Sequence, residues 1–241
     1  MSPPTPAPVH DRNRNARGVI VDDTKTFASD VAFTNTVKEI QARKGSRAAY
    51  ARVEEAGSWE QAITPDLKAE IEAQVSVFLA TASAEGQPYI QHRGGPAGFL
   101  KVLDERTIAF ADFAGNRQYI TQGNLAENPK AHLFLIDYAN LRRIKIWGAA
   151  RVVEGDAELQ RRLMPAGYRA RAEQVVLFTV TAWDVNCPQH IPQRFDAADV
   201  QAAIRSRDQR IALLEAAIER LGGEVPPVSP KFPRRTEFLS G

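Results

Sequence analysis

Arg93 is the side chain that the sequence marks most clearly for ligand binding, since it ends a strand-like run and precedes Gly94 and Gly95. A planar guanidinium matches the geometry of a phosphate group, and glycine allows the backbone to approach a bound molecule closely. A surface arginine ahead of a flexible loop would have the same sequence. The segment by itself therefore indicates an anion site without deciding for one.

A second segment places Asn116, Arg117 and Gln118 directly after Gly115, behind a strand predicted to end at Phe113. These side chains offer several kinds of hydrogen-bond donor at one turn, as an anionic ligand requires. Asparagine also tolerates a left-handed backbone, so a simple Gly-Asn turn is the more ordinary interpretation of this segment alone.

A third candidate surface lies on a strand in which Ile144 and Ile146 alternate with Arg143, Lys145 and Trp147. Alternation puts the two isoleucines on one face and the two cations and the indole on the other. The apolar face can pack into a core, whereas the cationic face can meet a ligand. The solvated face of an antiparallel sheet often has the same composition.

Cys187 and His190 stand three residues apart in a loop that contains proline. This Cys-x-x-His spacing is half of a metal site. There is no other cysteine, and His10, His92 and His132 lack a matching spacing, so no metal is expected. A Cys-His nucleophile pair is conceivable. We favour a loop that lines a ligand pocket over a loop that simply holds a half-buried thiol.

The elements that position these side chains begin with helices. Residues 30–57 are predicted as two helices, divided at Gly45 and Ser46 and ended by Gly57. A third helix is predicted to begin at Thr64, whose hydroxyl can cap it.

This third helix has Pro65 at its first position, which suits the fixed φ of proline. Its apolar stripe is predicted to run through Leu67, Ile71, Val75 and Phe78 at three- and four-residue intervals.

Beyond that helix the hydrophobic period becomes strand-like. Six or so strands at short spacing predict an antiparallel barrel or sandwich rather than a parallel sheet. The predicted strand segments are 77–81 and 88–92 as a hairpin, then 99–103, 107–113, 131–137, 142–153 and 175–185, with a short helix over 159–163.

An amphipathic helix is predicted over residues 198–221. Ile204, Ile211 and Ile218 repeat at seven, and Val200, Leu214 and Leu221 form a second seam that Arg207 interrupts. Three heptads are marginal for a free coiled coil. The helix is therefore expected to pack on the barrel or on a second subunit, and to end at Gly222.

Composition excludes several classes of protein. The 241 residues carry a net charge of +2, which gives no case for a nucleic-acid partner. One cysteine cannot form an intrachain disulfide, no run of about 18 apolar residues predicts a membrane span, and the first residues lack a secretory signal. We expect a cytoplasmic protein without membrane attachment.

Taken in order, the segments resemble the pyridoxamine 5'-phosphate oxidase-like family of FMN-binding split barrels. The resemblance spans residues 78–153. Its motifs are the strand at 99–104 that ends in Leu-Lys and an acidic turn, the phosphate-type loop at 110–118, the Leu-Ala-Glu-Asn-Pro turn at 124–129 and the strand at 143–148.

The resemblance implies a fold that is mainly β with α appendages, an antiparallel split barrel that forms a homodimer with FMN at the subunit interface. Arg93, Arg117 and Gln118 would hold the FMN phosphate, with Asn116 at the serine position of the loop. Arg143 and Lys145 would reach toward the flavin, and Gln91 and His92 would line the same strand.

The sequence departs from the vitamin B6 oxidase at several positions. Residues 94–98 separate Arg93 from Leu100 and Lys101, and Gln118 replaces a lysine. The oxidase's C-terminal Arg-Leu-His-Asp-Arg is absent, and the loop with Cys187 and His190 stands in its place. The pattern is more typical of an uncharacterised bacterial branch of the family.

The function predicted from the resemblance is an FMN-dependent oxidoreductase of unknown substrate, with NAD(P)H as a possible electron donor. Cys187 and His190 would act on the substrate side, because a histidine titrates near neutral pH. The alternatives are a non-catalytic flavin carrier or sensor, and a deazaflavin- or heme-binding relative.

We expect five regions along the chain. They are a mobile N-terminal arm (1–25), a helical N-terminal extension (26–64), the FMN-binding split barrel (65–196), a C-terminal amphipathic helix (197–222) and a loose tail (223–241).

Overall fold

A computed structural model of the chain describes residues 26–57 and 59–226. The expected mobile arm lies outside these residues, and so does the expected tail after its first four residues. The helices are a 3-10 turn (Ala28–Val31), α1 (Asn35–Arg43), α2 (Arg47–Glu55), α3 (Pro65–Ala73), α4 (Ile120–Glu127), α5 (Ala157–Leu163) and α6 (Ala197–Arg220). The strands are β1 (Ser76–Ala82), β2 (Pro88–Gly94), β3 (Lys101–Asp104), β4 (Thr107–Phe113), β5 (Lys130–Asp137), β6 (Arg142–Val153) and β7 (Ala172–Val185).

The seven strands form one antiparallel sheet in the order β2-β1-β5-β6-β7-β4-β3. The sheet curls until the edge strand β2 faces β4, and there Arg93 Nε lies 2.9 Å from Asp112 Oδ1. In the described residues β2 and β4 are not neighbours in the sheet order, so the barrel is split at this seam. This is the predicted antiparallel split barrel with helical appendages.

The core follows strand alternation. Buried and half-buried residues alternate along β1, and Leu79, Leu133 and Ile146 meet on the inner face of the sheet. Each fully buried aliphatic side chain of this kind contributes about 1.5–3 kcal/mol. Ile144 and Ile146 face inward as predicted, which leaves Lys145 on the outer face.

The prediction of the third helix is correct for the start of the helix and wrong for its end. Thr64 Oγ1 accepts a hydrogen bond from Leu67 N at 3.2 Å, as a capping residue should. The helix ends at Ala73, because Gln74 has an extended backbone and β1 pairing begins at Ser76. Val75 is 49% exposed and Phe78 belongs to β1, so neither extends the helical stripe.

Other differences from the sequence-based elements are local. The segment predicted as a turn at 124–129 contains the second half of α4, which ends at Glu127. β3 begins at Lys101, because Phe99 and Leu100 are buried in the loop before it. Ser46 precedes α2 as predicted, but its side chain caps no backbone N–H.

The N-terminal extension rests on the outer face of β6 through aromatic side chains of its loops. Trp59 stacks on Trp147 with ring centroids 4.8 Å apart, and Phe33 packs against Trp59 at 5.3 Å. Trp183 Nε1 donates a hydrogen bond to Ala62 O at 2.8 Å. This extension therefore covers part of the barrel surface that carries Lys145.

α6 begins after the N-cap Asp196 and ends at Arg220. Gly222 follows the C-cap Leu221 with a φ of 77°, as predicted for a terminating glycine. No residue of α6 is buried, so this structure does not pack the helix on the barrel. Among the described residues, no helix combines the length and apolar character needed to cross a membrane.

Candidate functional site

A cleft lies at the seam of the barrel, between β2, β4, the start of β7 and the loop that leads into α4. Its volume is about 230 Å³. It is lined by the predicted residues Gln91, Arg93, Asn116, Arg117 and Gln118, together with Tyr89, Asp112, Phe113, Gly115, Tyr119, Ile120, Thr121, Gln122, Glu173 and Gln174. The structure thus brings five of the eight predicted cofactor residues to one surface.

β2 supplies its part of the cleft through alternation. Tyr89, Gln91 and Arg93 are half-buried, whereas Ile90 and His92 between them are exposed. A strand points successive side chains to opposite faces, so the three half-buried residues share the face that turns toward β4.

Arg93 is held in the cleft by its own chain. It forms the ion pair with Asp112, and its Nη2 donates to Thr121 Oγ1 at 3.4 Å. Asp112 Oδ2 in turn accepts from Gln174 Nε2 at 3.0 Å. The Arg93 Nε is buried against Asp112, so the N–H groups that could meet another partner are those on its two Nη atoms that Thr121 does not use.

Arg117 reaches the cleft from a strained loop. Arg117 and Tyr119 adopt left-handed backbone conformations, with φ of 60° and 54°. Arg117 Nε donates to the Tyr119 hydroxyl at 3.1 Å, and that hydroxyl donates to Glu173 Oε1 at 2.8 Å. The hydrogen bond to Tyr119 raises the pKa of Arg117, which stays cationic at any pH of interest.

The turn before α4 also orients donors. Asn116 Oδ1 accepts from Gln118 N at 3.3 Å, so the asparagine side chain shapes the loop. Ile120, Thr121 and Gln122 form the first turn of α4 and line the cleft. First-turn N–H groups have no partner within the helix and lie at the positive end of its dipole.

The glycines after Arg93 allow close packing within the chain. A side chain on Gly95 would meet the Phe99 side chain at 2.7 Å, and one on Gly94 would meet His92 at 2.9 Å. The close approach that these glycines permit is therefore to the chain's own side chains.

His92 lies on the outer side of β2, beside the main cleft. Its Nε2 is 2.8 Å from Ser76 Oγ, and its ring packs edge-on against Phe78 at 5.6 Å. It borders a smaller adjoining cavity of about 200 Å³, which Gln91 and Arg93 also line.

Arg143 and Lys145 do not line the cleft of their own chain. Arg143 Nη2 donates to Cys187 O at 3.2 Å. Lys145 Nζ lies 3.3 Å from Asp184 Oδ2 and sits over the rings of Trp59 and Trp147, at 5.7 and 5.1 Å from their centroids.

His132 belongs to the same outer face as Lys145. Its ring packs edge-on against Trp147 with centroids 4.9 Å apart. Burial first, and the nearby Lys145 charge second, lower the pKa of His132 from 6.5 to about 4. The imidazole is therefore neutral at neutral pH.

Cys187 and His190 are both exposed, in the loop after β7. His190 has a left-handed backbone with φ of 64°. In the described part of the chain no hydrogen bond joins the thiol to the imidazole, and neither residue lines the cleft. No group of three or more His, Cys, Asp or Glu side chains among the described residues could hold a metal.

A family model described as pyridoxamine 5'-phosphate oxidase matches residues 63–187, which is more than half of the chain. The chain belongs to the pyridoxamine 5'-phosphate oxidase family. The match begins just before α3 and ends just after β7, so it contains the whole barrel and the cleft. α1, α2 and α6 lie outside the family match.

Several solved structures are similar to part of this member of the pyridoxamine 5'-phosphate oxidase family. HupZ from Group A Streptococcus is 21% identical over 55% of this chain and 99% of its own, with a TM-score of 0.43. An FMN-binding protein from Syntrophomonas wolfei is 14% identical over 61% and 97%, with a TM-score of 0.41. A search of curated proteins found no match.

Sequence reasoning missed several residues that shape the cleft in this family member, above all Asp112, Tyr119 and Glu173. Tyr119 directly follows Gln118, so its position beside the predicted phosphate loop could have marked it as a site residue. Asp112 and Glu173 come from β4 and β7, which pair with each other, and Asp112 reaches Arg93 only because the sheet curls until β4 faces β2.

Proposed function

We propose that this chain binds FMN, with the FMN phosphate in the cleft at the barrel seam, and that it is an FMN-dependent oxidoreductase. One observation carries the proposal. Arg93 on β2 and Arg117 before α4, which the family resemblance assigns to one phosphate, line a single cleft together with Gln91, Asn116 and Gln118.

The hydrogen-bond donors that line the cleft suit a phosphate, whereas the net charge of the cleft does not favour an anion. The cations Arg93 and Arg117 are balanced in the cleft by the carboxylates of Asp112 and Glu173. Binding would therefore rest on directed donors, namely the two guanidinium groups and the first-turn N–H groups of α4. A phosphate oxygen would compete with Asp112 for Arg93.

The size of the cleft bears on where the rest of FMN would lie. At about 230 Å³ the cleft can take the phosphate and part of the ribityl chain. Pockets for whole ligands of this class begin at about 300 Å³. The isoalloxazine would extend out of the cleft and lie between two subunits of a homodimer, as the family resemblance implies.

In such a dimer, Arg143 and Lys145 would reach the flavin of the other subunit. Bound FMN supplies hydride or electron transfer, and the protein supplies binding, orientation and electrostatics. A cation beside the N1 edge of the ring would stabilise the reduced anion. Arg143→Ala should weaken FMN binding or lower the reduction potential, and unchanged values of both would refute this role.

Cys187 and His190 stay candidates for the substrate side. Cys187 is tied to Arg143 through its carbonyl oxygen, so the loop stands near the residue proposed to approach the ring. His190 is exposed and could donate a proton. Normal turnover by a His190→Ala variant, with NAD(P)H as electron donor, would exclude it.

The visible spectrum of the purified chain, followed by mass spectrometry of what denaturation releases, tests the cofactor. Absorption bands of oxidised flavin and the mass of FMN support the proposal. A deazaflavin mass or a Soret band would replace it with a deazaflavin- or heme-binding function. FMN that is reduced slowly by NADH and NADPH, with no acceptor turned over, would leave a flavin carrier or sensor.

A further inference from the structure

The C-terminal helix α6 carries an apolar stripe that nothing covers in the described structure. The helix has 24 residues and is therefore about 36 Å long at 1.5 Å per residue. None of its residues is buried, and Ile204 and Ile211 at its middle are 48% and 50% exposed. A stripe of this length on an isolated helix calls for a partner.

The residue types along the stripe indicate which partner. With Ile204, Ile211 and Ile218 at the heptad positions called a, the d positions hold Val200, Arg207, Leu214 and Leu221. In a parallel coiled coil, β-branched residues at a with leucine at d, as at Leu214 and Leu221, favour two strands. We propose that α6 pairs with α6 of a second copy of this chain as a parallel two-stranded coiled coil.

Flanking charges agree with the parallel orientation. Arg210 occupies a g position and Glu215 the following e position, the pair that faces across a parallel dimer. In an antiparallel pair, e positions of one helix face e positions of the other, and g positions face g positions. The carboxylates of Asp208 and Glu215, both at e, would then face carboxylates, and Arg210 at g would face the Arg210 of the other copy. In the described chain neither Arg210 nor Glu215 has an ion-pair partner within 4 Å.

Arg207 interrupts the seam at a d position, directly before Asp208 at e. The four residues that surround a d-position knob in a parallel pair include an e residue of the other helix. The Asp208 carboxylate of one copy can therefore balance Arg207 of the other. A single polar layer of this kind lowers stability and fixes the register.

Three heptads are marginal for a free coiled coil, and attachment to the barrel can raise the effective concentration of the two helices. Arg194, two residues before the N-cap Asp196, donates its backbone N–H to Tyr138 O at 3.3 Å, and its guanidinium lies over the Tyr138 ring at 4.7 Å. These contacts fix the start of α6 to the β5-β6 connection. If two barrels associate, their α6 helices are held at a high effective concentration.

Cysteine cross-linking of the full chain tests the pairing. In a Cys187→Ser background, Leu214→Cys places a thiol in a d layer, and Ala212→Cys places the control thiol on the opposite face. Under mild oxidation at micromolar protein, the proposal expects a disulfide-linked dimer from Leu214→Cys at least about tenfold faster than from Ala212→Cys, because in-register d residues face each other. Equal rates, or no dimer from Leu214→Cys, would overturn it.

Charge exchange tests the orientation. The proposal expects that Arg210→Glu and Glu215→Arg each slow the Leu214→Cys cross-link by about fivefold, because each creates like-charge pairs across the interface. The double variant should recover the original rate within about twofold, since the opposite charges face each other again. Two slow single variants without recovery in the double variant would contradict a parallel pair.

Discussion

Two cationic regions of this molecule were assigned from the sequence to one flavin, yet in a single chain they have different surroundings. Arg93 and Arg117 line a cleft, one from an edge strand and the other from the loop before α4. Lys145 projects from a central strand and lies against Asp184 and two tryptophan rings. Arg93 and Lys145 each contact a carboxylate of their own chain, but of the two only Arg93 does so inside the cleft.

The covering of the second region comes from the N-terminal extension. Trp59 stacks on Trp147 and lies under Lys145. The extension lies outside the residues that match the family. The barrel and the cleft thus lie within the residues that match the family, whereas Trp59, which contributes to the aromatic cover over Lys145, lies outside them.

The largest expected effect is the pH dependence of the free energy of unfolding, which arises in the region of Lys145 and not in the cleft. The unfolded chain protonates His132 near 6.5, whereas the folded chain holds its pKa at about 4. The free energy of unfolding should therefore be fully present above pH 6.5 and fall by up to about 3 kcal/mol as the pH drops to about 4. Denaturant unfolding across this range measures it.

His132→Phe is the matched control for this pH effect, because a phenyl ring can occupy the apolar site without titrating. The difference in unfolding free energy between wild type and variant should change with pH in the same window. A difference that stays constant from pH 7 to pH 4 would mean that His132 is not held neutral by the Trp147 side of the barrel.

The next effect concerns the cleft. Arg93→Gln should weaken FMN binding by about thirtyfold, because a charge-assisted hydrogen bond to phosphate contributes about 2 kcal/mol. Asp112→Asn is the matched control, because it removes the competing carboxylate and should tighten binding about threefold. Fluorescence titration of FMN measures both, and equal weakening by the two variants would indicate loss of fold instead of loss of a phosphate contact.

Trp59→Ala sharpens the comparison from the other side. Removing the indole that stacks on Trp147 should lower the free energy of unfolding by about 2 kcal/mol. Binding of FMN phosphate in the cleft should change little, since Trp59 does not line it. A thermal unfolding curve and an FMN titration of the same sample give both results. A large loss of FMN affinity without loss of stability would contradict the separation of the regions.

The smallest effect is expected for Lys145→Gln. Because burial is the first cause of the lowered pKa of His132 and Lys145 the second, the variant should raise that pKa only part of the way back toward 6.5. FMN affinity should fall about threefold, as expected for one partly screened charge. An NMR titration of the His132 ring reports the first quantity, and an unchanged pKa would show that Lys145 does not act on it.

Local patterns in the sequence were sufficient for most of the barrel. The change to a strand-like hydrophobic period located Thr107–Phe113 and Arg142–Val153 with their observed bounds. The Thr64-Pro65 start of α3 was equally clear, because capping depends on adjacent residues. The end of α3 was not, because Val75 and Phe78 continue the helical spacing while sheet pairing claims the backbone from Ser76 onward.

The candidate site likewise contains residues that local sequence patterns mark and contacts that only the folded chain forms. Arg93, Asn116, Arg117 and Gln118 were found because their segments contain the signal. The Arg93–Asp112 pair was not, since it forms only when the sheet curls and β2 meets β4. The cover over Lys145 depends on Trp59, a residue with no local motif to mark it.

Titration of FMN and riboflavin against wild type and Arg93→Gln tests the phosphate site most directly, because the two ligands differ by the phosphate alone. The account predicts that wild type binds FMN at least about thirtyfold more tightly than riboflavin, and that this ratio falls to a few-fold in the variant. Equal affinity of wild type for both ligands, or a ratio unaffected by Arg93→Gln, would contradict a phosphate bound at the barrel seam.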